Sequence, residues 1–157
     1  MNKIGIFVDV QIIYYTTRQV YQRPFDYRRL WQSLAETGDI VLAYAYATDR
    51  GDLGQQKFQA ALRHIGFTVK LKPYVQRSDG SAKGDWDVGI TIDVLEHAAE
   101  LDNVVLLSGD GDFDLLLEKV RNDYGAWVDV YGVPALTADA LIRSADLFHP
   151  IDEAMLV

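Results

Sequence analysis

Apolar residues along the chain follow two kinds of spacing, and each kind predicts a different element. Short runs of consecutive apolar residues are typical of strands that are buried on both faces of a sheet. Such runs occupy residues 4–8, 40–47, 104–107 and 126–130. Residues 67–72 instead alternate apolar and polar side chains, which predicts a half-exposed strand whose lysines suit the edge of a sheet.

Between these runs the apolar residues recur at helical spacing, and the ends of the stripes carry helix-boundary signals. Tyr27, Leu30 and Leu34 predict a helix that Asp26 caps and that Gly38 closes. A last helix is predicted to begin with Thr137 as its cap. Further helices are predicted at residues 58–65, 86–100 and 113–120, with a polar loop at 73–84.

Strands that alternate with helices predict right-handed βαβ units. We therefore predict an α/β fold in three layers, with a central, mainly parallel sheet and helices on both of its faces. No internal repeat, low-complexity tract or linker interrupts the sequence. We expect residues 1–157 to form one domain.

Composition narrows the classes of protein that remain. The chain has 157 residues, no cysteine, a net charge of −8 and 49% hydrophobic residues, which argues against a disulfide scaffold, a thiolate metal site and disorder. The absence of cysteine fits a reducing compartment, and we expect a cytoplasmic protein without a signal peptide. The longest apolar run, residues 40–47, is far shorter than the roughly 20 residues of a membrane span. The negative net charge disfavours a protein that coats nucleic acid through a basic surface, but it allows an enzyme whose acidic residues are concentrated at a metal site.

Aspartates follow two of the predicted buried strands and open one of the predicted helices. Asp9 ends the first strand, Asp110 follows residues 104–107, and Asp85 and Asp87 open the helix after the polar loop. Ligands of open parallel sheets bind beyond the carboxyl ends of the strands, where the strand order reverses. We therefore expect three separate segments to bring carboxylates to one place.

Carboxylates that crowd together raise one another's pKa unless a cation neutralises them. Mg²⁺ prefers oxygen ligands and keeps open positions for phosphate oxygens, and such ions activate water for in-line displacement at phosphorus. The three histidines are too far apart in the sequence to suggest zinc. The alternative, that acids such as Asp85 and Asp112 only cap helices or form turns, stays open.

Three segments carrying these acids resemble the NYN domain family of PIN-like nucleases, in particular its bacterial LabA-like branch. The segments are residues 6–15, 83–93 and 107–113. The resemblance implies a Rossmann-like PIN fold and a Mg²⁺- or Mn²⁺-dependent ribonuclease acting on single-stranded or structured RNA. It implies metal ligands at Asp9, Asp87 and Asp110, with Asp112 completing the catalytic set.

Further residues are expected to support the site. Ser108 belongs to the same motif as Asp110, and Asp114 stands where some relatives carry a further acid. Asp93 lies about 240° around the helix from Asp87, which makes it a residue behind the metal ligands. Ile12 occupies the position of an asparagine in the family's first motif, and Gln11 is expected to substitute for that amide.

Substrate contacts and alternative functions follow from the remaining residues. Lys83 and Arg77 are candidates for phosphate contacts and Tyr14 for stacking on bases, although each is also compatible with ordinary surface or core positions. One alternative is a catalytically weakened regulator that binds RNA or a protein, which Ile12 favours. Another is a phosphoacceptor domain with an aspartate after its first strand. The segment Asp9-Val10-Gln11 disfavours this alternative, because it lacks the second aspartate of an Asp-x-Asp motif. The apolar residues 154–157 suggest a homodimer or packing on their own domain.

Overall fold

The computed structural model describes residues 2–49, 51–73, 75–76, 82–83 and 85–157. A six-stranded sheet forms the centre of this part of the chain, and a separate antiparallel pair of short strands lies outside it. The strands in chain order are β1 (Lys3–Asp9), β2 (Asp39–Asp49), β3 (Thr68–Pro73), β4 (Val75–Gln76), β5 (Ala82–Lys83), β6 (Asn103–Leu107), β7 (Trp127–Gly132) and β8 (Leu147–Pro150). The order of the central sheet is β3-β2-β1-β6-β7-β8, and every neighbouring pair is parallel.

Helices cover both faces of the sheet and bury its apolar strands. They are α1 (Val10–Tyr21), α2 (Tyr27–Ala35), α3 (Leu53–Ile65), α4 (Asp87–His97), α5 (Asp114–Tyr124) and α6 (Asp139–Ser144). The buried residues of α1 to α3 pack with Ile4, Ile6 and Val8 on one face, and those of α4 to α6 pack with Phe7 on the other. The predicted three-layer α/β architecture is confirmed.

The helix boundaries agree with the predictions at some positions and differ at others. Asp26 caps α2 as predicted, because its Oδ1 accepts the backbone N–H of Arg29 at 3.0 Å. Thr137 does not cap α6: its hydroxyl donates to the carbonyl of Val133 at 2.7 Å, and the helix begins at Asp139. Gly38 does not close α2, which ends at Ala35.

The sequence patterns missed α1 and β8, and the short strands β4 and β5 lie within the predicted polar loop at 73–84. The α1 segment is rich in β-branched and aromatic residues, which disfavour helices, and the residue after it, Gln22, has a positive φ of 56° without being glycine. The β8 strand has only four residues and ends in Pro150. It nevertheless pairs with β7 and forms one edge of the sheet.

The C-terminal residues 154–157 pack against their own domain. Leu156 is buried and forms a bridge with Phe25, while Arg29 donates to the carbonyl of Ala154. This packing removes the reason to expect a homodimer from an unpartnered apolar tail. None of the helices found in the described residues has the length and apolar character needed to cross a bilayer.

Candidate metal centre

The carboxyl ends of β1 and β6 lie side by side, as predicted. Val8 of β1 is in register with Leu107 of β6. Asp9 is the last residue of β1, only 6% exposed, and α1 begins at the next residue. Asp110 follows Leu107 by three residues. The parallel pairing of the two strands therefore brings Asp9 and Asp110 to the same edge of the sheet.

A hydrogen-bonded turn after β6 fixes the position of Asp110. The buried hydroxyl of Ser108 accepts the backbone N–H of Asp110 at 3.2 Å and also interacts with the carboxylate of Asp9. Oδ1 of Asp110 in turn accepts the backbone N–H of Asp112 at 2.9 Å. Each of these backbone bonds joins residues two positions apart, so the turn holds Asp110 and Asp112 in a fixed orientation. The contact of Ser108 with Asp9 ties this turn to the end of β1.

The close packing of this turn gives a first testable prediction. A Cβ atom at Gly109 would lie 2.6 Å from the backbone carbonyl oxygen of Leu136. We expect Gly109→Ala to lower the free energy of unfolding by about 1–3 kcal/mol, measured by urea denaturation, because the turn and Leu136 must move apart.

Gly54→Ala is the matched control, since Gly54 lies in α3 and a Cβ there would meet only a side-chain oxygen of Asp52 at 3.4 Å. The control should be neutral or stabilise the protein by up to about 1 kcal/mol, because alanine favours helices over glycine. Equal destabilisation by the two substitutions would contradict the close packing of the turn.

Asp87 reaches the same edge from α4, and its approach is anchored to β2 and β3. The indole Nε1 of Trp86 donates to the carbonyl of Ala47, at the end of β2, at 2.9 Å. Nζ of Lys72 donates to the carbonyl of Asp85 at 3.2 Å and lies 4.5 Å from the centre of the Trp86 ring. Oδ1 of Asp85 accepts the backbone N–H of Asp87 at 3.3 Å. The start of α4 is therefore held to β2 through Trp86 and to β3 through Lys72.

Three carboxylates converge where these segments meet. Asp87, Asp110 and Asp112 each place one oxygen within 4.8 Å of the others, and Asp87 and Asp110 are close enough to share a proton. Asp112 is exposed, whereas Asp87 and Asp110 are partly buried. We call these three residues the acidic cluster. Asp9 lies beside this cluster and interacts electrostatically with Asp110 and Asp87.

The pKa values of two of these aspartates are raised. Burial raises the pKa of Asp9 to about 7, and the charges of Asp110 and Asp85 add to the increase, although the nearby N–H of Ile12 and the hydroxyl of Ser108 favour the charged form. The pKa of Asp87 is also raised to about 7, first by burial and then by the interaction with Asp110. Without a cation, both sites therefore retain protons near neutral pH.

The donor set of the acidic cluster fits a hard divalent cation. All of its ligand atoms are carboxylate oxygens, which Mg²⁺ and Mn²⁺ prefer, and the cluster contains no histidine. A cation would also remove the repulsion that raises the pKa of Asp87. The chemistry of the side chains thus supports a divalent-metal site.

Several predicted supporting residues occupy other positions. Asp93 accepts hydrogen bonds from the Tyr46 hydroxyl at 2.8 Å and from Lys70 at 2.7 Å, so it belongs to an ion pair between α4 and the sheet. Asp114 accepts the N–H of Leu115 at 2.7 Å at the start of α5 and lies outside the acidic cluster. Gln11 is half-buried, and its side chain makes no hydrogen bond within the described residues.

The predicted substrate contacts are only partly described. Tyr14 is 51% exposed on α1, its hydroxyl accepts a hydrogen bond from Arg18 at 2.9 Å, and its ring packs edge-on against Tyr15. Arg77 lies outside the described residues, and so does the side chain of Lys83.

Asp85 was expected to open α4 at this edge, whereas the contact of Lys72 with the Asp85 carbonyl was missed. Asp85 raises the pKa of both Asp9 and Asp87, and Lys72 holds its carbonyl. Lys72 alternates with the apolar residues of β3, and this pattern alone predicted only a solvent-facing lysine.

Comparison with solved structures agrees with the fold. A crystal structure of a protein of unknown function from Vibrio parahaemolyticus RIMD 2210633 has a TM-score of 0.94 and 51% identity, covering 99% of this chain and 96% of that one. Ribokinase from Giardia lamblia has a TM-score of 0.51 and 13% identity, covering 96% of this chain and 58% of its own; this likeness concerns the fold alone.

Sequence similarity identifies the family. The low amplitude and bright protein LabA of Synechococcus elongatus is 32% identical over 128 residues, which cover 76% of this chain and 68% of LabA. The NYN domain family model matches residues 3–152, a range that includes all the aspartates described above. This chain belongs to the NYN domain family.

Proposed function

We propose that this protein is a metal-dependent ribonuclease that hydrolyses RNA phosphodiester bonds with Mg²⁺ or Mn²⁺. Asp87 and Asp110 hold the metal together with Asp9, which lies beside the acidic cluster, and Asp112, the third member of that cluster, completes the catalytic set. The observation that carries the proposal is the convergence of the acidic cluster from α4 and the β6 turn within 4.8 Å, beside the buried Asp9. The PIN-like nuclease relationship of the NYN family supports this function.

The chain's own residues position the reacting groups. A bound Mg²⁺ or Mn²⁺ supplies charge neutralisation for the phosphodiester and activates water for in-line attack. The turn after β6 orients Asp110, and the anchored start of α4 orients Asp87, so little rearrangement is needed when RNA binds. Asp9 is buried where β1 meets α1, so its carboxylate has little contact with bulk water.

The RNA path is proposed to cross the start of α1. Tyr14 is exposed and lies five residues after Asp9, so its ring is available to stack on an unpaired base. Arg18, bound to the Tyr14 hydroxyl, brings a positive charge to the same surface. Lys83 and Arg77 remain proposed phosphate contacts, with Ser108, Gln11 and Asp114 in support. We propose that the protein acts in the cytoplasm as one domain.

Cleavage of end-labelled RNA tests this function. Wild-type protein should cleave single-stranded RNA with Mn²⁺ and lose the activity with a chelator. Asp87→Asn should lower the rate at least about 100-fold, because it removes a ligand charge that acts in the transition state. Asp123→Asn is the control, since Asp123 is exposed and pairs with Lys119 at the end of α5. Chelator-resistant cleavage, or no cleavage of any RNA, would contradict the proposal.

A second candidate function is a catalytically weakened regulator that binds RNA or a protein partner. The observation that favours it is Ile12, half-buried in the first turn of α1, where its side chain offers no hydrogen bond near Asp9. An assay of Ile12→Asn separates the two functions. If wild type is inert and Ile12→Asn cleaves RNA, the natural chain is a regulator; if both cleave, the nuclease proposal stands.

A further inference from the structure

A cavity lies away from the acidic cluster, on the sheet face that carries α1 to α3. Its volume is about 620 Å³, its floor is formed by β6, β7 and β8, and its walls are formed by α2 and residues 154–155. Asp9 and the acidic cluster contribute none of the described residues that line it. The cavity is therefore independent of the proposed nuclease site.

A buried carboxylate at the floor fixes the rings around it. Asp129 is 8% exposed, and its Oδ1 lies 3.1 Å from the indole Nε1 of Trp127 and 2.9 Å from Nε2 of His149. Its Oδ2 accepts a hydrogen bond from Asn103 at 3.0 Å. Burial alone would raise the pKa of Asp129, but these donors outweigh it and lower the pKa, so the group is charged.

A buried charge with its partners is seldom more stable than a well-packed apolar core, so stability does not explain this arrangement. Its physical effect is to hold Trp127 and His149 in fixed orientations. Trp127 is 51% exposed, and the His149 ring stacks on Tyr131 with centroids 4.3 Å apart and planes inclined by 8°. Two pre-oriented aromatic surfaces therefore border the cavity.

One polar group at the cavity lacks a partner. Tyr131 is 7% exposed and lines the cavity, yet its hydroxyl makes no hydrogen bond within the described part of the chain. The hydroxyl oxygen is not fully enclosed by the described residues, so a ligand in the cavity can reach it and offer it a hydrogen-bond acceptor.

The charges of the lining indicate which ligands fit. Asp26 and Asp129 are opposed by Arg29 and, when it is protonated, His149, so the cavity does not select strongly for either sign of charge. The volume lies within the range of about 300–1,000 Å³ that is common for ligand pockets. We propose that this cavity binds an uncharged planar heteroaromatic molecule of the nucleoside class, with its ring against Trp127 and His149 and a hydrogen bond to Tyr131.

Titration of ¹⁵N-labelled full-length protein with adenosine and with uridine, followed through the Trp127 indole N–H resonance, tests the proposal. At least one nucleoside should give a saturable shift, and Tyr131→Phe, which keeps the ring, should weaken its binding about fivefold. Leu147→Ala should bind within twofold of wild type, because Leu147 is exposed on β8 outside the cavity. Asp110→Asn should also bind normally, which separates this site from the nuclease proposal.

Four outcomes would overturn the inference. They are no shift with either nucleoside at 10 mM, unchanged binding by Tyr131→Phe, more than tenfold tighter binding of adenosine monophosphate than of adenosine, and a shift of the Trp127 signal with protein concentration alone. The third outcome would indicate an anion site, and the fourth an interface between two copies of the chain.

Discussion

Asp110→Asn should abolish the rise in melting temperature that Mn²⁺ gives the wild-type protein, together with Mn²⁺-dependent RNA cleavage. Asp110 is the central acid of the site, because it interacts with both Asp9 and Asp87 and belongs to the acidic cluster. Asparagine has the same shape and its side-chain oxygen can still accept the N–H of Asp112, so the turn should remain folded. The substitution removes the charge and little else.

The expected size follows from mass action. At a concentration of 100 times Kd, a ligand of the folded state stabilises it by about 2.7 kcal/mol, which corresponds to a rise in Tm of roughly 5–10 °C for a domain of this size. In chelator, Asp110→Asn should melt at or above the wild-type temperature, because one repelling charge is gone. Asp123→Asn should retain the full Mn²⁺ response. An equal response in Asp110→Asn would show that Mn²⁺ binds elsewhere.

The fold was predictable where burial dominates the sequence pattern. The central strands β1 and β6 are apolar throughout except at Asn103 and the ends, so their assignment needed only the pattern of residues. In α1 the pattern failed, because only Val10, Ile13 and Thr17 are buried and β-branched residues are common in it. Tertiary contact with the sheet stabilises this helix against its intrinsic preference.

The acids at strand ends were predictable for a topological reason, whereas the roles of neighbouring side chains were not. Asp9 and Asp110 follow strands that must end at the same edge of a parallel sheet. Asp93 was expected behind the metal ligands, but it forms an ion pair with Lys70 of β3. This pair could not be predicted, because no sequence pattern indicates which strand α4 packs against. The contact between Asp129 and His149 could not be predicted for a similar reason, because it depends on the pairing of β7 with β8, a strand that the sequence patterns missed.

In metal-free buffer, the protein should lose stability as the pH rises from 5 to 8. The pKa of Asp9 is about 7 in the folded protein and 3.8 is its ordinary value, so between these values the folded state holds a proton that the unfolded state has released. Each pH unit in this window then lowers the free energy of unfolding by about 1.4 kcal/mol, and above pH 7 the loss levels off. From Asp9 alone we expect a loss of at most about 3 kcal/mol between pH 5 and pH 8.

Urea denaturation of wild type and Asp9→Asn in chelator, at each pH unit, isolates this contribution from that of the other acids. Asparagine cannot ionise, so the variant should be the more stable protein at pH 8, and its advantage should shrink toward pH 5. Saturating Mn²⁺ should reverse the order at pH 8, because the cation stabilises the charged form of Asp9 that the variant lacks. Parallel pH profiles for the two proteins in chelator would mean that Asp9 is ionised throughout this range, and burial would then not be the force that prepares the site for a cation.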